Sequence, residues 1–343
     1  MTAIVVLGAV TGGINLPVSN AELLELGFTP GGYTEISVDR MEKLRLALEN
    51  SRGNLPNPNS GGSVANTADL LARAGVSCGF MGVCGDDTFG RAFVSKFERA
   101  SLEFLSEVEN GSVTGYDFYF YGDEGLRTIV LTHGANSLLS PARIDIEAIK
   151  GAELVLLDGI ALDFGPESES AMVHGIQAAE EKDVPFVLTL ASTKVVDRYR
   201  AFFDTFGPKA QMVAGNLEQA AVLVGLEPEA SLDEVRIELA KTSINAVVTL
   251  DEDGAFARFG DREFSLPTQK IEAVDSTGAG DNFLAAFLIA RMKGLSVRKA
   301  LAVGNVVAGK VVQYQGARLP LNLDVPGLMQ EAIQIAESLD DQG

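Results

Sequence analysis

Apolar residues along this chain follow two rhythms. Short, nearly continuous apolar runs occupy residues 3–8, 78–83, 153–157, 185–190, 211–214 and 246–250, the pattern of strands buried on both faces. Apolar residues also recur every three to four positions over 20–26, 39–49, 64–74, 87–100, 167–181, 194–203, 217–224, 232–241, 297–313 and 325–339, which predicts helices with a buried stripe. From residue 149 onward the two patterns alternate. An α/β fold follows, with a mostly parallel central sheet, helices on both faces and two short strands at 255–266.

Residues 112–132 differ in character and read as a hairpin turning at 122–125. Tyr116, Phe118 and Phe120 share one face, and Asp117, Tyr119 and Tyr121 the other. Aromatic residues on both faces predict a strand covered on both sides, either by ordinary sheet packing or as a lid over a ligand. Residues 52–62 are a loop by composition. Asp39 with Glu42 resembles a capping box. The acidic end, 340–343, is expected to fray.

Composition narrows the function. The 343 residues carry 27 basic against 47 acidic groups, a net charge of −20. That balance argues against nucleic acid or an anionic membrane as partner, and favours a soluble protein whose anionic substrates meet local positive sites. No apolar run approaches the ~20 residues of a membrane span. No basic segment precedes the first apolar run, which reads as a strand and not a leader. Cys78 and Cys84 are the only cysteines and form no metal or redox motif, which fits the reducing cytoplasm.

The stretch with the most chemistry is Asp-Ser-Thr-Gly-Ala-Gly-Asp at 275–281, running directly into an apolar helix at 282–293 that ends at Gly294. Residues 278–281 are expected to form the first turn of that helix, its unpaired N–H groups facing outward as an anion hole. Asp281 beside it could take a proton from an attacking hydroxyl while the amides hold phosphoryl oxygens. The same spacing also fits a core helix capped by Asp275 or Ser276.

Other motifs divide. No Gly-x-Gly-x-x-Gly follows a strand, so a dinucleotide-dependent dehydrogenase has no support. Residues 304–310 nearly spell a phosphate loop, but Val311 replaces the metal-binding hydroxyl and the stretch reads as mid-helix. Residues 61–65 lack the last glycine of a nucleophile elbow, and His133 and His174 are the only histidine bases for one. Gly61 and Gly62, opening a helix, let backbone approach a ligand hydroxyl, and Asn66 offers a donor and an acceptor to a diol. Asn66 on a solvated face fits the spacing as well. Arg127, in the strand after the hairpin, is either a phosphate contact or an exposed strand arginine.

Together, Gly-Gly-Ser-Val-Ala-Asn-Thr at 61–67, Gly-Val-Cys-Gly-Asp-Asp-Thr-Phe-Gly at 82–90 and the 275–283 stretch resemble the ribokinase-like carbohydrate and nucleoside kinases, the PfkB family. Within it the chain most resembles bacterial adenosine-kinase-type members. The resemblance implies a three-layer ribokinase-like fold in a single domain, with a small β lid from roughly 10–40 and 112–133. It implies transfer of the γ-phosphoryl group of ATP, with Mg²⁺, to a primary hydroxyl of a sugar or nucleoside. Asp281 would be the base, with Gly278, Ala279 and Gly280 as the anion hole and Arg127 near the transferred phosphate. Gly61, Gly62 and Asn66 would bind sugar hydroxyls. Asn216, Thr249 and Gly254 would border the nucleotide, and Asn305 its base. Asp275 and Thr277 match positions that hold a monovalent cation such as K⁺ in some members. A monomer or a homodimer joined at the lid edge is expected.

Three positions depart from the family pattern. Gly13 stands where an Asp often grips two sugar hydroxyls. Gln219 replaces the Glu of an Asn-x-x-Glu motif, and Asp251 stands where glycine is common in a nucleotide-contacting loop. Two alternatives therefore stand beside an adenosine-kinase-like activity. One is a family kinase for ribose, fructose or a sugar phosphate, although the sequence around Gly13 offers no extra basic residue for a phosphate. The other is a non-catalytic nucleotide- or sugar-binding member.

Overall fold

The inner strands of the central sheet feed alternate residues to two different cores, which is why their apolar runs are unbroken. In Ile4–Leu7, Ile4 and Val6 enter one core, and Val5 and Leu7 the other, all four fully buried. The computed structural model describes residues 2–56, 59–100, 102–123 and 126–339. Among them the sheet has nine strands, in the order Arg262–Leu266, Ala255–Phe259, Ala246–Thr249, Met212–Asn216, Phe186–Thr189, Leu154–Leu157, Ile4–Leu7, Cys78–Met81 and Glu103–Phe104. Neighbours run parallel except around Ala255–Phe259, which is antiparallel to both of its partners. Helices cover both faces, as the alternation of patterns predicts.

One core is built around the helix Ala279–Met292, buried from Asn282 through Ala290, which packs against Ser63–Arg73 and Val297–Val311. Gly294 ends it with φ +81°; its amide and that of Leu295 donate to the carbonyls of Arg291 and Ala290. The stretch resembling a phosphate loop lies inside Val297–Val311. A Cβ on Gly304 would fall 2.6 Å from the Phe283 ring, so this glycine serves a close helix crossing.

A second sheet of five strands stands over one end of the first. Its order is Tyr33–Glu35, Arg127–Gly134, Thr114–Tyr121, Thr11–Pro17 and Asn59–Gly61. Tyr116, Phe118 and Phe120 join Ile14 and Leu16 in a third core, closed by Met41, Leu44 and Leu48 of the helix Val38–Arg52. The opposite face, with Asp117, Tyr119 and Tyr121, lines a cavity.

Several local expectations change. Ser37, not Asp39, caps its helix by accepting from the Arg40 amide, while Asp39 pairs with Lys43 at 2.7 Å. The helix expected at 194–203 is two, Thr193–Arg198 and Arg200–Phe206, because Tyr199 leaves helical geometry at ψ 31° and caps the second. The 52–62 loop contains Asn59–Gly61, held by pairing to Thr11–Pro17; its residues 57 and 58 lie outside the described residues. So do residues 124 and 125 of the hairpin turn and the 340–343 tail.

Candidate active site

The stretch at 275–281 is shaped by its own backbone. The Thr277 and Gly316 amides donate to the two oxygens of Asp275, each at 2.9 Å, tying the loop to the turn that carries Arg318. Burial pushes the Asp275 carboxyl up, but these donors outweigh it and hold it below its ordinary range. Gly278 caps the helix at φ +77°, and a Cβ there would sit 2.3 Å from the Ala317 carbonyl, so only glycine fits. Buried Asn282 locks the same contact by donating to the carbonyls of Gly278 and Ala317 at 2.7 and 2.9 Å.

Of the expected amides, that of Ala279 already donates to Ser276 at 3.2 Å. The amides of Gly280 and Asp281 have no protein acceptor among the described residues, and a Cβ on Gly280 would meet nothing within 4 Å. Among the described residues only the Ala279 amide of the 278–281 stretch is engaged, and the open ones lie at the positive end of the helix.

The Asp281 carboxylate accepts from Ser63 Oγ at 2.5 Å and from Asn66 Nδ2 at 2.8 Å. Asn66 is buried, not on a solvated face, and its Oδ1 accepts from Arg318 Nε at 2.8 Å. Arg318 in turn faces Asp69 at 3.4 Å, and Arg73 faces the other Asp69 oxygen at 3.5 Å. Burial raises the Asp281 carboxyl above its ordinary range, only partly offset by Ser63, Asn66 and the Arg318 charge. A raised carboxyl is a stronger base.

Two cavities meet here. The larger, about 1310 Å³, opens between the sheet and the Ala279–Met292 helix and is lined by Asn216, Thr249, Gly254, Ala279, Gly280 and Asn305 among others. The smaller, about 690 Å³, lies under the five-stranded sheet and is lined by Gly61, Gly62, Asn66, Arg127, Asp275 and Thr277. Ser63, Ala191 and Asp281 line both. Ala191 holds a left-handed φ of +59°, as does Asp251 at +49° on the wall of the larger cavity. Left-handed backbone at Asp251 is the physical reason a glycine suits that loop.

Every residue proposed from sequence lines one of these cavities except Gly278, which lies behind the helix start. Some are already engaged. Asn216 and Gln219 form a reciprocal helix cap, and Gln219 Nε2 also donates to the Ala191 carbonyl at 2.9 Å, a bond glutamate could not make. Asn305 Nδ2 donates to the carbonyls of Leu266 and Pro267 at 3.1 and 3.4 Å. Thr249 Oγ1 reaches the Gly215 carbonyl at 3.4 Å. Gly254, at φ +99°, has no room for a Cβ. Arg127 lays its guanidinium over the Tyr119 ring at 4.3 Å.

Sequence reading missed Ser63, Asp117, Asp158 and Arg318. Fully buried Asp158 accepts from Thr189 Oγ1 at 3.1 Å. Its Oδ2 has no partner among the described residues, and burial, with the Asp281 charge, pushes the acid up to about 6. It also missed that basic groups reach the smaller cavity from elsewhere. Arg73, Lys96 and Arg318 line it, and among the described residues Lys96 has no hydrogen-bond or ion-pair partner. Burial, then the Arg318 charge, pulls Lys96 down to about 8.

This arrangement defines a class: an α/β protein in which one basic carboxylate and open helix amides stand between two ligand-sized cavities, at the carboxyl ends of parallel strands. Residues 32–323 match the pfkB family of carbohydrate kinases, and the chain belongs to that family. Family membership makes it a phosphotransferase with an alcohol acceptor and ATP as donor. It is 26% identical over 267 residues to a 5-dehydro-2-deoxygluconokinase of Clostridium perfringens, covering 74% of this chain and 78% of that one. It is 26% identical over 278 residues to a ribokinase of Bacillus subtilis, covering 78% and 87%. The crystal structure of adenosine kinase from Sinorhizobium meliloti superposes with a TM-score of 0.84 at 25% identity, covering 96% of this chain and 99% of that one. Among the described residues no helix is long and apolar enough to cross a membrane.

Proposed function

We propose that the protein transfers the γ-phosphoryl group of ATP to a primary hydroxyl of a sugar or nucleoside held in the smaller cavity. The observation that carries this reading is the position of Asp281 on the wall common to both cavities. The acceptor oxygen attacks the γ-phosphorus, the bond to the bridging oxygen breaks, ADP leaves, and Asp281 keeps the hydroxyl proton. The amides of Gly280 and Asp281 face the equatorial oxygens, where charge accumulates. Arg127, on the lid, contributes its positive charge at the acceptor side.

The larger cavity has the volume for a nucleoside triphosphate. No group of three His, Cys, Asp or Glu side chains suited to a metal occurs among the described residues. Mg²⁺ would arrive on the nucleotide phosphates and offset their negative charge. In the same reading Asp275 and Thr277 hold a monovalent cation.

A second reading concerns the acceptor alone. Unpartnered Lys96 in the smaller cavity favours an acceptor with a carboxylate, the chemistry in the name of the gluconokinase relative. A panel of nucleosides, sugars and sugar acids, scored for acceptor-dependent ADP release, tests both. Release with a neutral sugar or nucleoside supports the first reading, and release with sugar acids only supports the second. No acceptor-dependent release, with ligand binding retained, contradicts both and leaves a binding protein.

A further inference from the structure

The lid carries a carboxylate that the proposed phosphoryl transfer does not use. Thr11–Pro17 and Thr114–Tyr121 run parallel, with Gly13 beside Asp117. In-register side chains on parallel neighbours project from the same face, about 5 Å apart. Even-numbered residues of both strands fill the third core, so Gly13, Asp117 and Tyr119 face the smaller cavity. Having no side chain, Gly13 leaves Asp117 the only group at that level of the sheet between the two strands.

The carboxylate is held ready. Thr11 Oγ1 and the Tyr119 hydroxyl both donate to Asp117 Oδ2, each at 3.1 Å. Oδ1 accepts nothing among the described residues and is not sealed from the cavity. Burial pushes the acid up to about 6, with Tyr119, Thr11 and Arg127 pulling the other way, so at neutral pH an ionised oxygen faces the ligand space. An anion in a half-closed cavity is satisfied by donors from a ligand.

We infer that Asp117 is the residue that binds a vicinal diol of the acceptor, so the substrate class is a polyhydroxylated acceptor with adjacent free hydroxyls. This rests on the smaller cavity being the acceptor site. One hydroxyl donates to Oδ1, and its neighbour shares Oδ2 with the two fixed donors. Asn66 is committed to Asp281 and Arg318 through its side-chain amide, and the free Asp158 Oδ2 is buried, whereas Asp117 Oδ1 is open to the cavity.

The test measures binding and needs no turnover. Calorimetry on the nucleotide-free protein compares adenosine with 2′-deoxyadenosine, and D-ribose with 2-deoxy-D-ribose. The wild type is expected to prefer the diol member of at least one pair by roughly 10- to 100-fold, the range of a charge-assisted hydrogen bond. Asp117→Asn abolishes that preference and leaves ATP binding unchanged. Tyr119→Phe, which keeps the carboxylate and removes one donor, moves diol binding without moving the binding of the deoxy ligand. A preference that survives in a folded Asp117→Asn protein overturns the inference, and so does a wild type that binds neither diol. Failure of the kinase reading appears separately, as diol binding without acceptor-dependent ADP release.

Discussion

The two cavities are built from different material. The larger includes a set of small residues, Ala214, Gly215, Gly254, Ala279 and Gly280, beside an acidic rim of Asp251, Glu252 and Asp253. The smaller is walled by side chains with chemistry of their own: Asp117, Tyr119, Arg127, Asp158 and Arg318. Amides and glycines in the larger cavity suit a ligand offering phosphates, and change is poorly tolerated at Gly215 and Gly254, where a Cβ would fall 2.6 and 2.2 Å from neighbouring atoms. A wall of side chains can be rewritten one residue at a time. On the proposed function, the difference puts the adjustable contacts on the acceptor side.

The largest expected effect falls where the two sides meet. Asp281→Asn keeps the fold and nucleotide binding but lowers kcat by ~10²–10⁴, the range of general-base catalysis. Steady-state kinetics on the best acceptor checks it, and near-native turnover would remove Asp281 from the role. Gly278→Ala is next. It forces a side chain into left-handed backbone against the Ala317 carbonyl, at a cost of roughly 1–3 kcal/mol in denaturant titration, with loss of ATP affinity. Unchanged stability would mean that the helix start is not sterically fixed.

Gln219→Glu sharpens the donor side. It loses the bond to the part-buried Ala191 carbonyl, worth about 1 kcal/mol of stability, with a rise in KM for ATP larger than that for the acceptor. An equal rise in both would break the division between the cavities.

The smallest effect is a pH dependence on the acceptor side. The Asp158 acid, near 6 when folded, lies above its unfolded value, so the native state binds the extra proton between about pH 4 and 6. Its favourable contribution is complete below about 4 and is lost as pH rises through 6. Asp158→Asn should therefore gain Tm relative to wild type between pH 5 and 8, by an amount equivalent to ~1–3 kcal/mol. A constant difference across that range would show that the buried acid does not titrate there.

The same contrast explains what the chain discloses. The donor side was legible because its chemistry is contiguous: seven residues at 275–281 hold the cap, the glycines and the proposed base, and unbroken apolar runs mark the parallel strands. The acceptor side was not. Ser63 meets Asp281 across 218 positions, and Arg318 meets Asn66 across 252. Asp117 is one acidic residue in an aromatic strand until the register sets it beside Gly13. Gln219 looked like a lost acid; in place it is a donor that no acid could replace. Short-range spacing carries caps and turns imperfectly too, as Ser37 and Tyr199 show. Two neighbouring residues can both satisfy a cap, and only the tertiary path of the chain chooses between them.

The account turns on one carboxylate serving both spaces, and the most direct measurement is a crystal structure with a diol acceptor and a non-hydrolysable ATP analogue bound together. It should place a primary hydroxyl of the acceptor within about 2.6–3.2 Å of an Asp281 oxygen, with the terminal phosphate against the Gly280 amide. A terminal phosphate bound away from that helix start, or an acceptor hydroxyl out of reach of Asp281, would contradict it.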